Sequence, residues 1–327
     1  MLRHVDKLIL VMGDVQAREG CIDLGQMLSY LTFDIIAELT FGESLNLLGD
    51  PTHAPWLHGL HHGLKFIVIR AILLELPILG SLLEVATTGP LKRKMYEHYQ
   101  YSRALVDKRF SFTGTGPEDL WKLALRHEHD GRGLTLEERH ANAAMFLLAG
   151  SETTQTTLSG TIYHLLMNKP AHTRLNNEIR TAFQHGGQIS ISGVSRLPYI
   201  KAVMQEGLRV YPPGGVAIGR YVTKGGIVAC GHYLPEGVGF KANRSRKPEI
   251  MHRSSSYTVG ARRANSTTDS LAWAEMSLAL AKLVWHADLD LCPGMENWLD
   301  QKCYLSWVTG PLLVKAHKVR HKVRQVG

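Results

Sequence analysis

Residues 135–170 read TLEERHANAAMFLLAGSETTQTTLSGTIYHLLMNKP. Thr135 with Glu138 three positions on forms a capping-box pattern, and Pro170 supplies a stop, so the stretch predicts one long, mostly buried helix. At about 1.5 Å per residue it would run about 50 Å, enough to cross a whole domain. Its middle is apolar from Ala143 to Ala149 and is then interrupted by Gly150-Ser151-Glu152-Thr153-Thr154. A carboxyl and hydroxyls inside a buried helix are costly unless something satisfies or uses them. Threonine hydroxyls can also bond back to the carbonyl one turn earlier and bend the helix. A bent centre with Glu152 beside Thr153 could hold a small ligand and hand it protons. A core helix with quietly hydrogen-bonded polar groups would carry the same letters, so the motif alone leaves both readings open.

The 327 residues suffice for a large core, as one big domain or two ordinary ones. Apolar residues at 44% and charged residues at 20% are the proportions of a globular protein. The net charge of +8 would suit an acidic partner, nucleic acid or an anionic membrane surface. Part of that excess lies in Lys315 to Arg324, which reads as a solvated tail. No nucleic-acid motif accompanies it, so no nucleic-acid partner is expected. Cys21, Cys230, Cys292 and Cys303 are scattered and form no CxxC pair, which predicts reduced thiols and not a disulfide scaffold.

The apolar run near the N-terminus is too short and too flanked by charge for a signal peptide or anchor, and reads as an amphipathic helix. Residues 66–86 are apolar but interrupted by Arg70, Glu75, Pro77 and Glu84, which is wrong for a spanning helix and suits contact with a membrane surface. The expected location is therefore cytoplasmic or at a membrane surface. His53, His58, His61 and His62 lack a carboxylate at ligand spacing and read as a surface cluster. Asp23 to Thr40 has helical spacing and ends at Gly42; Leu82 to Phe110 is a further helical stretch broken by Gly89-Pro90; residues 111–132 contain the linker to the central helix.

Downstream, Leu197 to Pro213 reads LPYIKAVMQEGLRVYPP. A proline near the first turn and two at the end frame a helix. Glu206 and Arg209 are three apart and share a face, so they can pair. Their apolar sequence neighbours predict a buried, charge-assisted pair in which Arg209 also holds backbone carbonyls. Residues 216–222 and 226–237 are strand-like.

These motifs, in this order, resemble the cytochrome P450 family. AGSETT at 149–154 looks like its oxygen-activating motif, Ala/Gly-Gly-x-Asp/Glu-Thr-Thr/Ser. Glu206 to Arg209 with Tyr211-Pro212-Pro213 looks like its Glu-x-x-Arg helix and the turn that follows, and the strand-like 216–222 and 226–237 look like the hairpin after that turn. TFDIIAELTFGES at 32–44 is similar to a segment of fungal members. The resemblance implies a single domain over 1–327, mainly α with a small β portion, in the P450 fold. It implies haem, with electrons from NADPH through a reductase, and a lipophilic secondary metabolite as substrate. Glu152 and Thr153 would manage oxygen and protons, and Glu206 and Arg209 would fix the core under the haem. Arg220 and Arg262 would meet the haem propionates, with Gly150 of the same motif also at the cofactor.

The chain departs from the family pattern in three places. The family presents its iron-binding Cys in Phe-x-x-Gly-x-Arg-x-Cys-x-Gly, just ahead of a helix. Here residues 257–276 read YTVGARRANSTTDSLAWAEM. Gly260 and Arg262 fit, but the thiolate position is Ala264, the later glycine is Ser266, and two extra residues precede the helix. A methyl group has no lone pair for iron, so the axial ligand is missing; His252 is a conceivable replacement. The segment from Glu236 to Tyr257 is shorter than the family's, and the sequence starts partway into the family pattern, so the fold is expected to be incomplete. Two function classes follow: a haem-thiolate monooxygenase, or a P450 remnant that binds without catalysing or does nothing. A basic helical binding protein would require three ordered motifs to be coincidence.

Overall fold

The computed structural model describes residues 1–53, 57, 68, 79–111, 119–124, 133–215, 219–229, 231–241 and 267–319. The described architecture is mostly helical. The helices are α1 (Leu2–Glu19), α2 (Leu24–Phe41), α3 (Leu79–Ser111), α4 (Leu120–Ala124), α5 (Leu136–Met167), α6 (Lys169–Ala182), α7 (Ile191–Val194), α8 (Pro198–Val210) and α9 (Thr267–His286). The strands are short: β1 (Ile22–Asp23), β2 (Gly219–Tyr221), β3 (Ile227–Ala229), β4 (His232–Leu234), β5 (Gly239–Lys241), β6 (Ala287–Leu291) and β7 (Leu313–Lys318). They form a three-stranded antiparallel sheet in the order β1-β7-β6 and two two-stranded sheets, β2-β5 and β3-β4.

The central helix α5 starts as its sequence predicts. Glu138 N–H donates to the Thr135 hydroxyl at 3.3 Å, and Thr135 N–H donates to the Glu138 carboxylate at 2.8 Å, closing both halves of the capping box. It stops at Met167, ahead of the expected Pro170. Asn168 caps the next helix by accepting from Ala171 N–H at 3.2 Å, and Pro170 falls in the first turn of α6, where no backbone donor is needed.

Two hydrophobic clusters flank α5. The larger joins α1, α2, α6, α8 and α9 to the C-terminal half of α5 through Leu158, Ile162, Tyr163 and Leu165. The smaller packs Phe33, Ile36 and Phe41 of α2, Leu105 and Val106 of α3 and Trp121 of α4 against Ala143 and Leu147. Asp34 serves this second region. It is fully buried, and its carboxylate accepts Leu47 N–H at 2.9 Å and Leu48 N–H at 3.2 Å, which fixes the chain as it returns after Gly42. Polar clasps hold the larger cluster together. Arg180 donates to the carbonyl of Val284 at 2.7 Å and to Asp288 at 2.7 Å, capping the C-terminal end of α9. Lys282, buried on α9, pairs with Asp6 of α1.

Several expectations change. Cys21 and Cys292 form a disulfide and are not reduced thiols; folding brings together two residues 271 positions apart, which spacing alone does not show. Lys315 to Lys318 is not tail but part of β7, paired with β6 from Ala287↔Lys318 to Leu291↔Val314. The alternation that makes it a strand was hidden under its charges. Helix α3 continues through Gly89-Pro90 without a break. The expected single hairpin resolves into β3-β4, turned at Ala229↔His232, enclosed by β2 paired with β5. His58, His61 and His62 and nearly all of 66–78 lie outside the described residues, as does the structure of 242–266. Among the described residues no helix is long and apolar enough to cross a membrane, and no group of three metal-ligating side chains occurs.

Candidate functional site

Thr153 sits at the centre of α5, which is an unbroken helix through the motif. The polar residues are absorbed by back-bonding, not by a gap in the helix. The hydroxyl of Thr153 donates to the Ala149 carbonyl at 2.7 Å, Thr154 to Gly150 at 3.0 Å and Thr157 to Thr153 at 2.8 Å. Each hydroxyl thus spends its proton within the helix and keeps oxygen lone pairs outward.

The motif divides by face. Met145, Ala149 and Thr153 recur at i, i+4 and i+8 and form a solvent-exposed stripe in the middle of the helix, continuing from the exposed Glu137 and Ala141 of its first turns; Met145 is 58% exposed. Glu152, one residue before Thr153, is buried. Gly150 faces α2: a Cβ there would lie 2.8 Å from Cδ1 of Ile36, so the missing side chain lets α2 pack close to α5. A cavity of about 250 Å³ lined by Asp23, Gln26, Tyr30, Gln155 and Thr309 touches α5 at Gln155, two residues past Thr153 and so on another side of the helix.

Helix α8 is set by its neighbours. The Glu178 carboxylate of α6 accepts Tyr199 N–H at 2.8 Å and Ile200 N–H at 2.9 Å, serving the first turn of α8. Gly207 meets α5 where a Cβ would stand 2.0 Å from the Thr161 hydroxyl, and Gly160 of α5 meets the ring of Tyr211, 2.1 Å from a hypothetical Cβ. Tyr211 stacks on Trp307 with centroids 5.2 Å apart, and Trp307 Nε1–H donates to the Pro212 carbonyl at 2.7 Å. Tyr-Pro-Pro thus anchors α8 to the C-terminal segment. Gly160 and Trp307 escaped the sequence reading because nothing local marks a partner so distant in the chain.

Glu206 and Arg209 do pair, with Arg209 Nε donating to Glu206 at 2.6 Å and Nη2 to the other carboxylate oxygen. The pair is not buried, however: the side chains are 58% and 45% exposed. Their apolar neighbours Val203, Met204 and Gly207 turn to the core, which leaves 205, 206, 209 and 210 on the outer face. Arg209 holds the Glu206 carboxyl below the usual carboxylate range and is itself raised by the same bond. Burial lowers the pKa of nearby His164, with Glu206 opposing the shift.

Arg220 lies in β2 opposite Phe240. Arg262, Ala264 and His252 lie outside the described residues. The structure therefore brings Gly150, Glu152 and Thr153 together on α5 and Glu206 with Arg209 on α8.

A cytochrome P450 family profile matches residues 2–245, about three quarters of the chain. The chain belongs to the cytochrome P450 family. Among curated relatives, cytochrome P450 monooxygenase efuB of Hormonema carpetanum is 33% identical over 90% of this chain. Cytochrome P450 monooxygenase FUM2 of Gibberella moniliformis is 35% identical over 97% of it, and cytochrome P450 monooxygenase aclL of Aspergillus oryzae is 31% identical over 97%. The chain spans 63% of the length of the first of these relatives, 73% of the second and 69% of the third.

The family implies haem. On the oxygen side the residues suit it: an outward hydroxyl oxygen at Thr153 beside the buried Glu152 carboxyl. On the iron side the family uses a cysteine thiolate, and both Cys230 and residues 242–266 lie outside the described residues. Cys21 and Cys292 are bonded to each other, and Cys303 lies beside Gly215, where a Cβ would stand 2.5 Å from its sulfur. Position 264, set at the family's ligand place by the sequence motif alone, is alanine and lies outside the described residues.

Proposed function

We propose that this chain is a fungal P450 monooxygenase-type protein of secondary metabolism whose ligand is a lipophilic small molecule lying against the exposed stripe of α5. The observation that carries this reading is the stripe itself: Met145 and Ala149 offer apolar contact, and Thr153 ends it with an outward oxygen. There the Thr153 oxygen can accept a hydrogen bond from the ligand, one residue from the buried Glu152 carboxyl. Electrons would come from NADPH through a reductase, for which the basic balance of +8 suits an acidic docking face. A membrane-surface contact through 66–86 would suit a lipophilic ligand.

A second reading rests on one specific observation. With alanine at 264, and with Cys21 and Cys292 bonded to each other, neither the motif position nor that pair offers iron a thiolate, and the chain would bind its ligand without oxidising it.

One spectrum separates the two. The purified protein is supplied with haem, reduced and placed under carbon monoxide. A Soret band with the thiolate-type shift supports oxidation and means that a cysteine reaches the iron. Haem uptake without that shift, or no uptake, leaves the binding reading.

A further inference from the structure

We propose that Cys21 and Cys292 form a redox-sensitive staple that locks the N-terminal helices to the C-terminal sheet. Cys21 immediately precedes β1 and Cys292 immediately follows β6, and these are the two outer strands of the three-stranded sheet. Val314 of β7 pairs with Ile22 on one side and Leu291 on the other, so both cysteines reach the same level of the sheet from opposite edges. Their Cα atoms are 6.8 Å apart, within the reach of a disulfide.

The corner they join is already tied by hydrogen bonds. Leu24 N–H donates to the Leu312 carbonyl at 2.9 Å, Leu312 N–H to the Asp23 carboxylate at 3.1 Å and Cys292 N–H to the Leu313 carbonyl at 3.0 Å. These bonds hold the two thiols in place when reduced, so closing the bridge needs no rearrangement of the sheet. Opening it leaves the corner to these hydrogen bonds and to the buried Ile22, Leu24, Leu312 and Val314. The bridge spans 271 residues of chain, so it removes a large part of the unfolded chain's freedom.

Burial sets the order of the chemistry. Cys21 is half-buried, whereas Cys292 is 4% exposed. With glutathione disulfide as oxidant, the Cys21 thiolate attacks one of its sulfurs, forming a mixed disulfide and releasing one glutathione thiolate. The Cys292 thiolate then attacks the Cys21 sulfur and releases the second glutathione. Two cysteine thiols are oxidised, one glutathione disulfide is reduced to two thiols, and the cysteine protons pass to solvent or to the departing thiolates. Cys21 is the entry point and Cys292 the resolving thiol.

The test uses the full chain in glutathione buffers of graded ratio, with free thiols counted after denaturation and cross-linked peptides identified by mass spectrometry. The expected result is four thiols under reducing buffer and two under oxidising buffer, with Cys21 and Cys292 in one linked peptide pair. The oxidised form should unfold several degrees higher. Cys292→Ser should trap glutathione on Cys21, while Cys21→Ser should leave residue 292 largely unmodified. Four thiols retained under oxidising buffer, a linkage through Cys230 or Cys303, or equal unfolding temperatures for the two forms would each overturn the proposal. The wild-type thiol count and peptide map decide the matter even where a serine variant does not fold.

Discussion

From Thr154 to Leu165 the central helix is enclosed by protein, with His164 alone half-exposed; from Met145 to Thr153 the same helix keeps a stripe open to solvent. The enclosed half is fitted at backbone distance. Gly160 receives the Tyr211 ring, and Thr161 packs where Gly207 has no side chain. The open half is apolar at Met145 and Ala149 and ends in the hydroxyl of Thr153. The outer face of α8 is open too, since Glu206 and Arg209 pair in solvent while Val203 and Met204 of the same helix are buried. A helix packed this tightly along one part and left open along another is a rigid mount for a surface that meets something else.

The contrast is broken most severely at the two glycines. Gly160→Val or Gly207→Val would force a side chain into Tyr211 or Thr161 and separate α5 from α8. We expect a loss of about 3 kcal/mol or failure to fold, read from the midpoint of urea unfolding. Tolerance of either change would mean that the enclosed half is looser than described.

Glu275 gives a second test of that half. It is buried on α9, and its Oε1 has no hydrogen-bond partner among the described residues. Burial pushes its carboxyl up to about 8, with the N-terminal amine opposing the shift. An unfolded chain releases that proton near a pH of about 4.3. Between these values the folded state binds the extra proton, so this contribution is fully present below the lower value and is lost as pH rises toward 8. Glu275→Gln should therefore stabilise the protein at pH 8, by on the order of a few kcal/mol, and much less at pH 5. Denaturation midpoints at both pH values check it; an equal shift at both would contradict the burial of this carboxyl.

Smaller effects belong to the open side. Removing the exposed pair by Arg209→Ala should cost at most about 1 kcal/mol and should depend on salt. A salt-independent cost of about 3 kcal/mol would instead report a pair covered in solution. Thr153→Val should change stability by no more than about 0.5 kcal/mol, because its hydroxyl serves only an exposed back-bond. A larger thermal shift would make Thr153 a structural residue.

Much of this division was legible in the sequence. The capping box at Thr135, the glycine stop at Gly42 and the proline-framed α8 are local chemistry and appear where their residues predict. The central position of 135–167 followed from its length and apolar content. The burial of Glu206 and Arg209 was misread because neighbours in sequence are not neighbours on a helix face. The Cys21–Cys292 bridge, the strand beneath the lysines of β7 and the glycine contacts of α8 all depend on residues far apart in the chain, where local pattern carries no signal. Gly150 was legible as special, but the neighbour that uses its missing side chain, Ile36, was not.

The most direct test of the open stripe is binding of a fluorescent fatty-acid probe to the wild-type protein and to Ala149→Arg, with thermal unfolding measured alongside. Ala149 is exposed, so the variant should fold normally while placing a charge at the centre of the stripe. The account predicts saturable binding by the wild type and at least about tenfold weaker binding by the variant, or about 1.4 kcal/mol. Equal affinity for the two proteins, or no binding by the wild type, would contradict the claim that this face receives a lipophilic ligand.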